Sequence, residues 1–212
     1  MRRPGGRPEK RSPAYIGKLG FDKSFNANVR TRLTGSFYAQ DASNSNTLFT
    51  GDRAGSRYYM VLENTAATEN ANAWSGNVRP GFANVVHSYV VNPFVQYYGA
   101  EVFGNFETAT GKATGELAKR TVRQYSGEGL YRFFNRKLYL GGRYNLVAGE
   151  VAAGLPYDGQ VRRVQLGGGW FVTPMLLTKV EWVNQKYLDF PINDIRNGGQ
   201  FKGFMVEGTL AF

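Results

Sequence analysis

Residues 24–40 read Ser24-Phe-Asn-Ala-Asn-Val-Arg-Thr-Arg-Leu-Thr-Gly-Ser-Phe-Tyr-Ala-Gln40, and their side chains alternate. The odd positions are Phe25, Ala27, Val29, Thr31, Leu33, Gly35, Phe37 and Ala39; the even ones include Asn26, Asn28, Arg30, Arg32, Ser36 and Gln40. A strand sends successive side chains to opposite faces, so this stretch predicts one apolar and one polar face. The alternation outlasts the roughly 5–6 residues of an ordinary strand. It recurs down the chain. Leu138, Leu140, Gly142, Tyr144 and Leu146 oppose Tyr139, Arg143 and Asn145; Val164, Leu166, Gly168 and Trp170 oppose Arg163 and Gln165. Leu176, Thr178, Val180 and Trp182 oppose Lys179, Glu181 and Gln185, and Phe204, Val206, Gly208 and Leu210 oppose Met205, Glu207 and Thr209. The chain is predicted to be all-β and antiparallel.

This period accounts for the composition. Among 212 residues there are 27 Gly, 13 Tyr and 15 Phe, yet mean hydropathy is negative. The aromatic content excludes a disordered chain. With no Cys, disulfides, thiolate zinc sites and Cys nucleophiles are excluded, and a single His excludes a multi-His metal site within one chain. The longest stretch free of polar side chains is Leu166 to Val172, far short of the roughly 20 residues of a transmembrane helix. Residues 1–13 carry Arg2, Arg3, Arg7, Lys10 and Arg11 against Glu9, with three Pro, two Gly and no following apolar run. They read as a disordered basic leader before a barrel domain over 14–212. They also read as the mark of an internal start codon or a truncated frame rather than of a signal peptide.

Ten strands are expected, near 14–22, 24–39, 56–63, 81–91, 94–107, 119–133, 137–149, 161–172, 175–187 and 201–212. Tight turns are expected at Asp22-Lys23, Asn92-Pro93, Asn135-Arg136 and Thr173-Pro174, and long polar loops over 40–55, 64–80, 108–118, 149–160 and 188–200. Two long loops in succession between 40 and 80 imply that 56–63 or 81–91 is not an ordinary spanning strand, and that one folds back into a lumen or lies above the rim.

Which solvent meets the apolar face decides the function class. In a soluble lipocalin-like barrel that face points inward; in an outer-membrane barrel it meets lipid and the polar face lines the interior. Strand length favours lipid, as does the mixture of bulky residues with Gly and Ala on the apolar face, which fits fluid lipid better than a close-packed core. So do the aromatics at strand ends: Phe21 and Phe25, Phe133 and Phe134, Trp170 and Phe171.

The last twelve residues, Phe201-Lys-Gly-Phe-Met-Val-Glu-Gly-Thr-Leu-Ala-Phe212, resemble the terminal strand of Gram-negative outer-membrane β-barrel proteins. That strand ends on an aromatic residue with apolar residues at alternate positions before it, here Phe204, Val206 and Leu210 before Phe212. The resemblance implies recognition of these residues by the barrel-assembly machinery and residence in the outer membrane of a Gram-negative bacterium. Residues 51–59, Asn92-Pro-Phe-Val, Arg143-Tyr-Asn, Gly169-Trp-Phe-Val-Thr and 181–187 look like the C-terminal part of larger porin-like proteins. The chain departs from that family at the front, where a signal peptide and several more strands belong.

A charge of +10 is compatible with nucleic acid or a membrane surface, but the cations occupy the polar faces of successive strands rather than one contiguous patch, so no nucleic-acid partner is expected. If that face is a lumen, Arg30, Arg32, Arg143, Arg163 and Lys179 form a cationic ladder, with Glu181 beside them and Glu101 and Glu207 opposing. Such a ladder attracts anions, which guanidinium groups also bind through paired hydrogen bonds. The expected function is passive diffusion of small hydrophilic solutes with a weak anion preference. The alternatives are a small plugged barrel acting as a structural or surface protein and, third, a soluble ligand-binding barrel. Ten strands are marginal for a pore, since about eight fill with side chains, so the chain is expected to be part of a larger barrel unless it is the plugged form. Partners are outer-membrane lipid and a homo-oligomer. Enzymatic activity, cofactors and metals are not expected. His87 and Ser88 are adjacent and point apart in a strand; Thr110-Gly-Lys-Ala-Thr114 lacks the first Gly and the Ser/Thr of a phosphate loop; Asp41, Asp52 and Glu63 are too dispersed for calcium. Gly167-Gly168-Gly169 marks a bent or twisted strand.

Overall fold

The computed structural model describes residues 11–43, 45–54, 76–155 and 158–211. Nine strands form one antiparallel meander: β1 Ala14–Asn26, β2 Val29–Gln40, β3 Val85–Tyr97, β4 Ala100–Lys112, β5 Arg120–Phe133, β6 Leu138–Gly149, β7 Gly159–Thr173, β8 Leu176–Leu188 and β9 Gln200–Leu210. Each pairs only with its neighbours in sequence, so β1 and β9 are the two edges of an open sheet. Of the ten expected strands, 56–63 lies outside the described residues, as do residues 1–10 of the leader. Ser12 extends the β1–β2 ladder: its N–H donates to Ala42 O at 2.9 Å, and its Oγ accepts from the N–H groups of Asp41 and Ala42.

Two expected turns are displaced. β1 runs past Asp22-Lys23 to Asn26, and the chain reverses at Ala27-Asn28, where Asn26 Oδ1 accepts the Asn28 N–H at 2.8 Å. This is the local hydrogen bond that makes Asn a turn former. The ladder shifts by one residue between Ser24 and Asn26, so the alternation carries through the reversal and hides it. β3 runs unbroken through Asn92-Pro93 and turns at Tyr98-Gly99, which replaces the expected strands 81–91 and 94–107. Pro93 has no N–H, and the β3–β4 ladder skips from Val91↔Phe106 to Phe94↔Phe103. Asn92 bridges the gap by donating from Nδ2 to Asn105 Oδ1 at 2.8 Å. The turns near Asn135 and Pro174 fall where expected, the first with Phe134, Asn135 and Arg136 all at positive φ.

The register sorts the side chains into two faces. The apolar face carries Leu19, Leu33, Val91, Phe106, Leu140, Leu166, Val180 and Val206, all exposed, with Val206 77% so. Aromatics gather on it beside the tight turns: Tyr97 stacks edge-on with Tyr98 (4.8 Å) and Tyr131 lies against Phe133 (4.7 Å). In water such a face would be a large uncovered patch. The polar face is covered at one end. There, residues 46–54 and 76–84 of the long β2–β3 connection fold back over the sheet, and Phe49, Ala54, Val78 and Phe82 pack on Val86, Ala109, Val122, Val147, Val161 and Tyr187. Each large apolar side chain so withdrawn from water contributes about 1.5–3 kcal/mol. Of the two segments that were expected to fold inward or lie above the rim, 56–63 lies outside the described residues, while 81–91 divides between this connection (81–84) and the ordinary strand β3 (85–91). Toward the tight turns the sheet admits bulk by omitting it: the Tyr139 ring fills the space where a Cβ on Gly169, its cross-strand partner, would stand, 2.4 Å from Cε1.

Candidate functional site: the polar face

Antiparallel pairing places side chains of one face side by side at each rung, so charges far apart in sequence meet. All six residues expected to line a lumen lie on the polar face, but they do not form a ladder of bare cations. Arg30 Nε donates to Asp22 Oδ1 at 2.8 Å; Arg143 Nε is 3.3 Å from Glu128 Oε2; Lys179 Nζ is 2.9 Å from Glu207 Oε1. Glu181 accepts from the neutral amide of Gln165 at 2.6 Å, and the Arg32 guanidinium lies over the Phe94 ring at 5.2 Å. The field along the face is set by alternating pairs, which weakens the expected cationic bias. Arg163 departs from its expected position in the open. It is 1% exposed, beneath the β2–β3 connection, and donates to Gln185 Oε1 at 3.0 Å. A shallow pocket of about 180 Å³ opens between Glu128, Arg143, Gln165, Lys179 and Glu181.

The residues that seat the β2–β3 connection were not among the expected site residues. Asn145 Nδ2 donates to the carbonyls of Arg53 (3.2 Å) and Ala54 (3.0 Å). Arg53 lies 3.5 Å from Glu107, which also accepts from Ser88 Oγ at 2.9 Å, and its guanidinium stacks on Phe49 at 4.0 Å. Tyr187 donates its hydroxyl proton to the Gly76 carbonyl and accepts from Gln185 Nε2 at 2.6 Å. Arg120 reaches from Glu116 to the Pro80 carbonyl at 2.7 Å. Buried polar groups satisfied in this way hold a connection in one place, because losing a partner strands a donor or acceptor away from water. In the sequence Arg53, Ala54, Asn145, Gln185 and Tyr187 were marked only as parts of the porin-like stretches 51–59, Arg143-Tyr-Asn and 181–187, and the other strand residues only by their alternation phase.

His87 and Ser88 face opposite sides: His87 Nε2 lies 2.8 Å from Asp41 on the apolar face near the long-loop rim, while Ser88 is buried against Glu107. Thr110–Lys112 belong to β4 and Gly167–Gly169 to the interior of β7. Phe204, Val206 and Leu210 share the apolar face of the edge strand β9; Phe212 and Glu63 lie outside the described residues.

No protein-family model matches the sequence, and no curated protein does. Solved structures match the fold. OmpT, an outer membrane protein of Vibrio cholerae, in its in-vitro folded trimer form, is 13% identical with a TM-score of 0.52, over 93% of this chain and 56% of that one. The outer-membrane expressed OmpT of Vibrio cholerae is 13% identical at a TM-score of 0.51, with the same coverage. The chain has the strand meander of an outer-membrane β-barrel. It spans little more than half the length of the structures it matches.

Proposed function

We propose that this chain forms part of the wall of an outer-membrane channel through which small hydrophilic solutes diffuse passively. The observation that carries the reading is the opposition of the two faces: an exposed apolar face with aromatics beside the tight turns, and a polar face of paired charges narrowed by an inward connection. A membrane β-barrel needs this arrangement. Lipid meets the apolar face, the long loops face outside and the tight turns the periplasm. The machinery that assembles barrels reads Phe204, Val206 and Leu210, together with Phe212. No residue performs covalent chemistry in this reading.

With nine strands, β1 and β9 run in the same direction, so antiparallel closure needs an odd number of further strands between them. The coverage of little more than half of the matched structures supports a larger barrel, and the trimer form of one of them supports a homo-oligomer. The preference among ions is weakly for anions, with Arg32 opposite Asp22 in the ladder, and Arg30, Arg143 and Lys179, all tempered by neighbouring carboxylates. Planar-bilayer recordings of the refolded protein test the reading: discrete conductance steps with slight anion preference are expected, and silent membranes or clear cation preference would refute it. A second reading, a plugged barrel acting as a structural surface protein, is favoured by the apolar core that covers the long-loop end of the polar face; silent membranes with intact insertion would select it.

A further inference from the structure

On β7, β8 and β9 the apolar face changes character one step short of the long loops. Leu166, Trp182 and Phe204 stand on one rung, paired Leu166↔Trp182 and Trp182↔Phe204. Toward the long loops the next rung on the same face is Val164, Asn184 and Lys202, and the one after it Arg162, Lys186 and Gln200, with Gln160 beyond. All three cations are exposed. Arg162 is the direct partner of Lys186, and Lys202 of Asn184. Arg162 Nη2 donates to Gln160 Oε1 at 3.0 Å, and Gln200 Nε2 donates to Asn184 Oδ1 at 2.9 Å. Among the described residues no carboxylate forms an ion pair with any of the three cations; Asp194, in the loop above, is taken by Arg196.

Like charges directly opposite on neighbouring strands destabilise a sheet, so Arg162 beside Lys186 is an arrangement that calls for an anion between them. Depth identifies which anion. Charges on the lipid face of a barrel are costly at the membrane midplane and nearly free at its boundaries. The cations begin one rung beyond Leu166, Trp182 and Phe204, at Lys202, and continue on the second rung with Arg162 and Lys186, so they stand at headgroup level. Guanidinium and ammonium groups hold phosphate oxygens by charge-assisted hydrogen bonds. We propose that Arg162, Lys186 and Lys202 form a binding site for the phosphates of a lipid headgroup in the leaflet on the long-loop side. The inference rests on the reading that the apolar face meets lipid.

The test refolds the full chain into phosphatidylcholine vesicles with and without bisphosphorylated lipid A. Insertion is scored first by protease protection, and lipid retained after detergent extraction is then counted by native mass spectrometry. The wild type should retain lipid A selectively. The triple variant Arg162→Gln, Lys186→Gln, Lys202→Gln should insert equally and lose retention by on the order of tenfold or more, while Arg162→Lys should keep it. Should the triple variant fail to insert, Lys202→Gln alone, on the edge strand, should still show a measurable loss. Equal retention by the variants, equal retention of dephosphorylated lipid A, or displacement by inorganic phosphate alone would overturn the site. A wild type that inserts into neither vesicle would instead refute the lipid-facing reading beneath it.

Discussion

Arg143 Nε on β6 stands 3.3 Å from Glu128 Oε2 on β5, and the two residues are direct partners in the ladder. Both side chains are more than a third exposed, so their mutual attraction is screened and contributes under about 1 kcal/mol to stability. In the proposed channel their weight falls on whatever passes beside them. Arg143→Gln should leave the unfolding midpoint nearly unchanged while moving the reversal potential in a salt gradient toward cations. Glu128→Gln should move it the other way. A shift of the same sign from both variants would show that neither residue faces the conducting path.

The packing of Tyr139 over Gly169 makes a second prediction. A methyl at residue 169 would stand 2.4 Å from the Tyr139 ring, so Gly169→Ala must push that ring aside. Overpacking of this kind costs about 1–3 kcal/mol. Gly127, with open space where its Cβ would be, is the control: Gly127→Ala should be close to neutral. Urea midpoints of the two variants in detergent give the comparison, and equal midpoints would contradict the packing described.

Tyr187→Phe removes the hydroxyl that joins Gln185 to the Gly76 carbonyl. Both partners are left in a buried setting, and a stranded group there costs about 1–3 kcal/mol. The described parts of the β2–β3 connection should loosen first, so limited proteolysis should cut the variant within 46–54 and 76–84 faster than the wild type while the strands stay protected. Asn145→Ala should give the same pattern through Arg53 and Ala54. Unchanged cleavage rates would mean that these bonds do not hold the connection.

The loop between β8 and β9 should resist acid. Hydrogen bonds from Arg196 hold the Asp194 carboxyl below its ordinary value of 3.8, against the opposing effect of its partial burial. A depressed carboxyl contributes its stabilisation in full above the unfolded value and loses it only as pH falls through the lower, folded one. The loop should therefore keep its contacts, including the Arg196 guanidinium over Phe190, down to pH 3.8 and lose them below. An NMR titration of the Arg196 side chain reads this directly, and Asp194→Asn should abolish the low-pH step.

Much of the architecture was legible because a sheet with one apolar and one polar face must alternate. Leu138 to Leu146, Val164 to Trp170 and Phe204 to Leu210 show their apolar faces in the sequence, and the register agrees. What failed was punctuation. Pro93 looks like a breaker, yet it occupies mid-strand because the Asn92 amide closes the gap in the ladder; Ala27-Asn28 hides because a bulge preserves the phase. The inward connection was legible only as an anomaly of loop lengths, since Phe49, Val78 and Phe82 have no period. The charge pairs were not legible at all: Glu128 meets Arg143, and Lys179 meets Glu207, only once the register is known.

The seat of the β2–β3 connection also bears on the order in which the protein takes shape. Gly76 and Tyr187 are 111 residues apart, and Ala54 and Asn145 are 91 apart. Contacts so distant along the chain form only after the intervening hairpins have brought their ends together, which is what makes such topologies slow. We predict a two-phase refolding in which strand signal in circular dichroism leads and protection of residues 46–54 follows. Tyr187→Phe should slow or weaken the second phase and leave the first untouched; a single phase shared by both probes would exclude this order. A solute path narrowed from within would then be the last part of the molecule to acquire its final width.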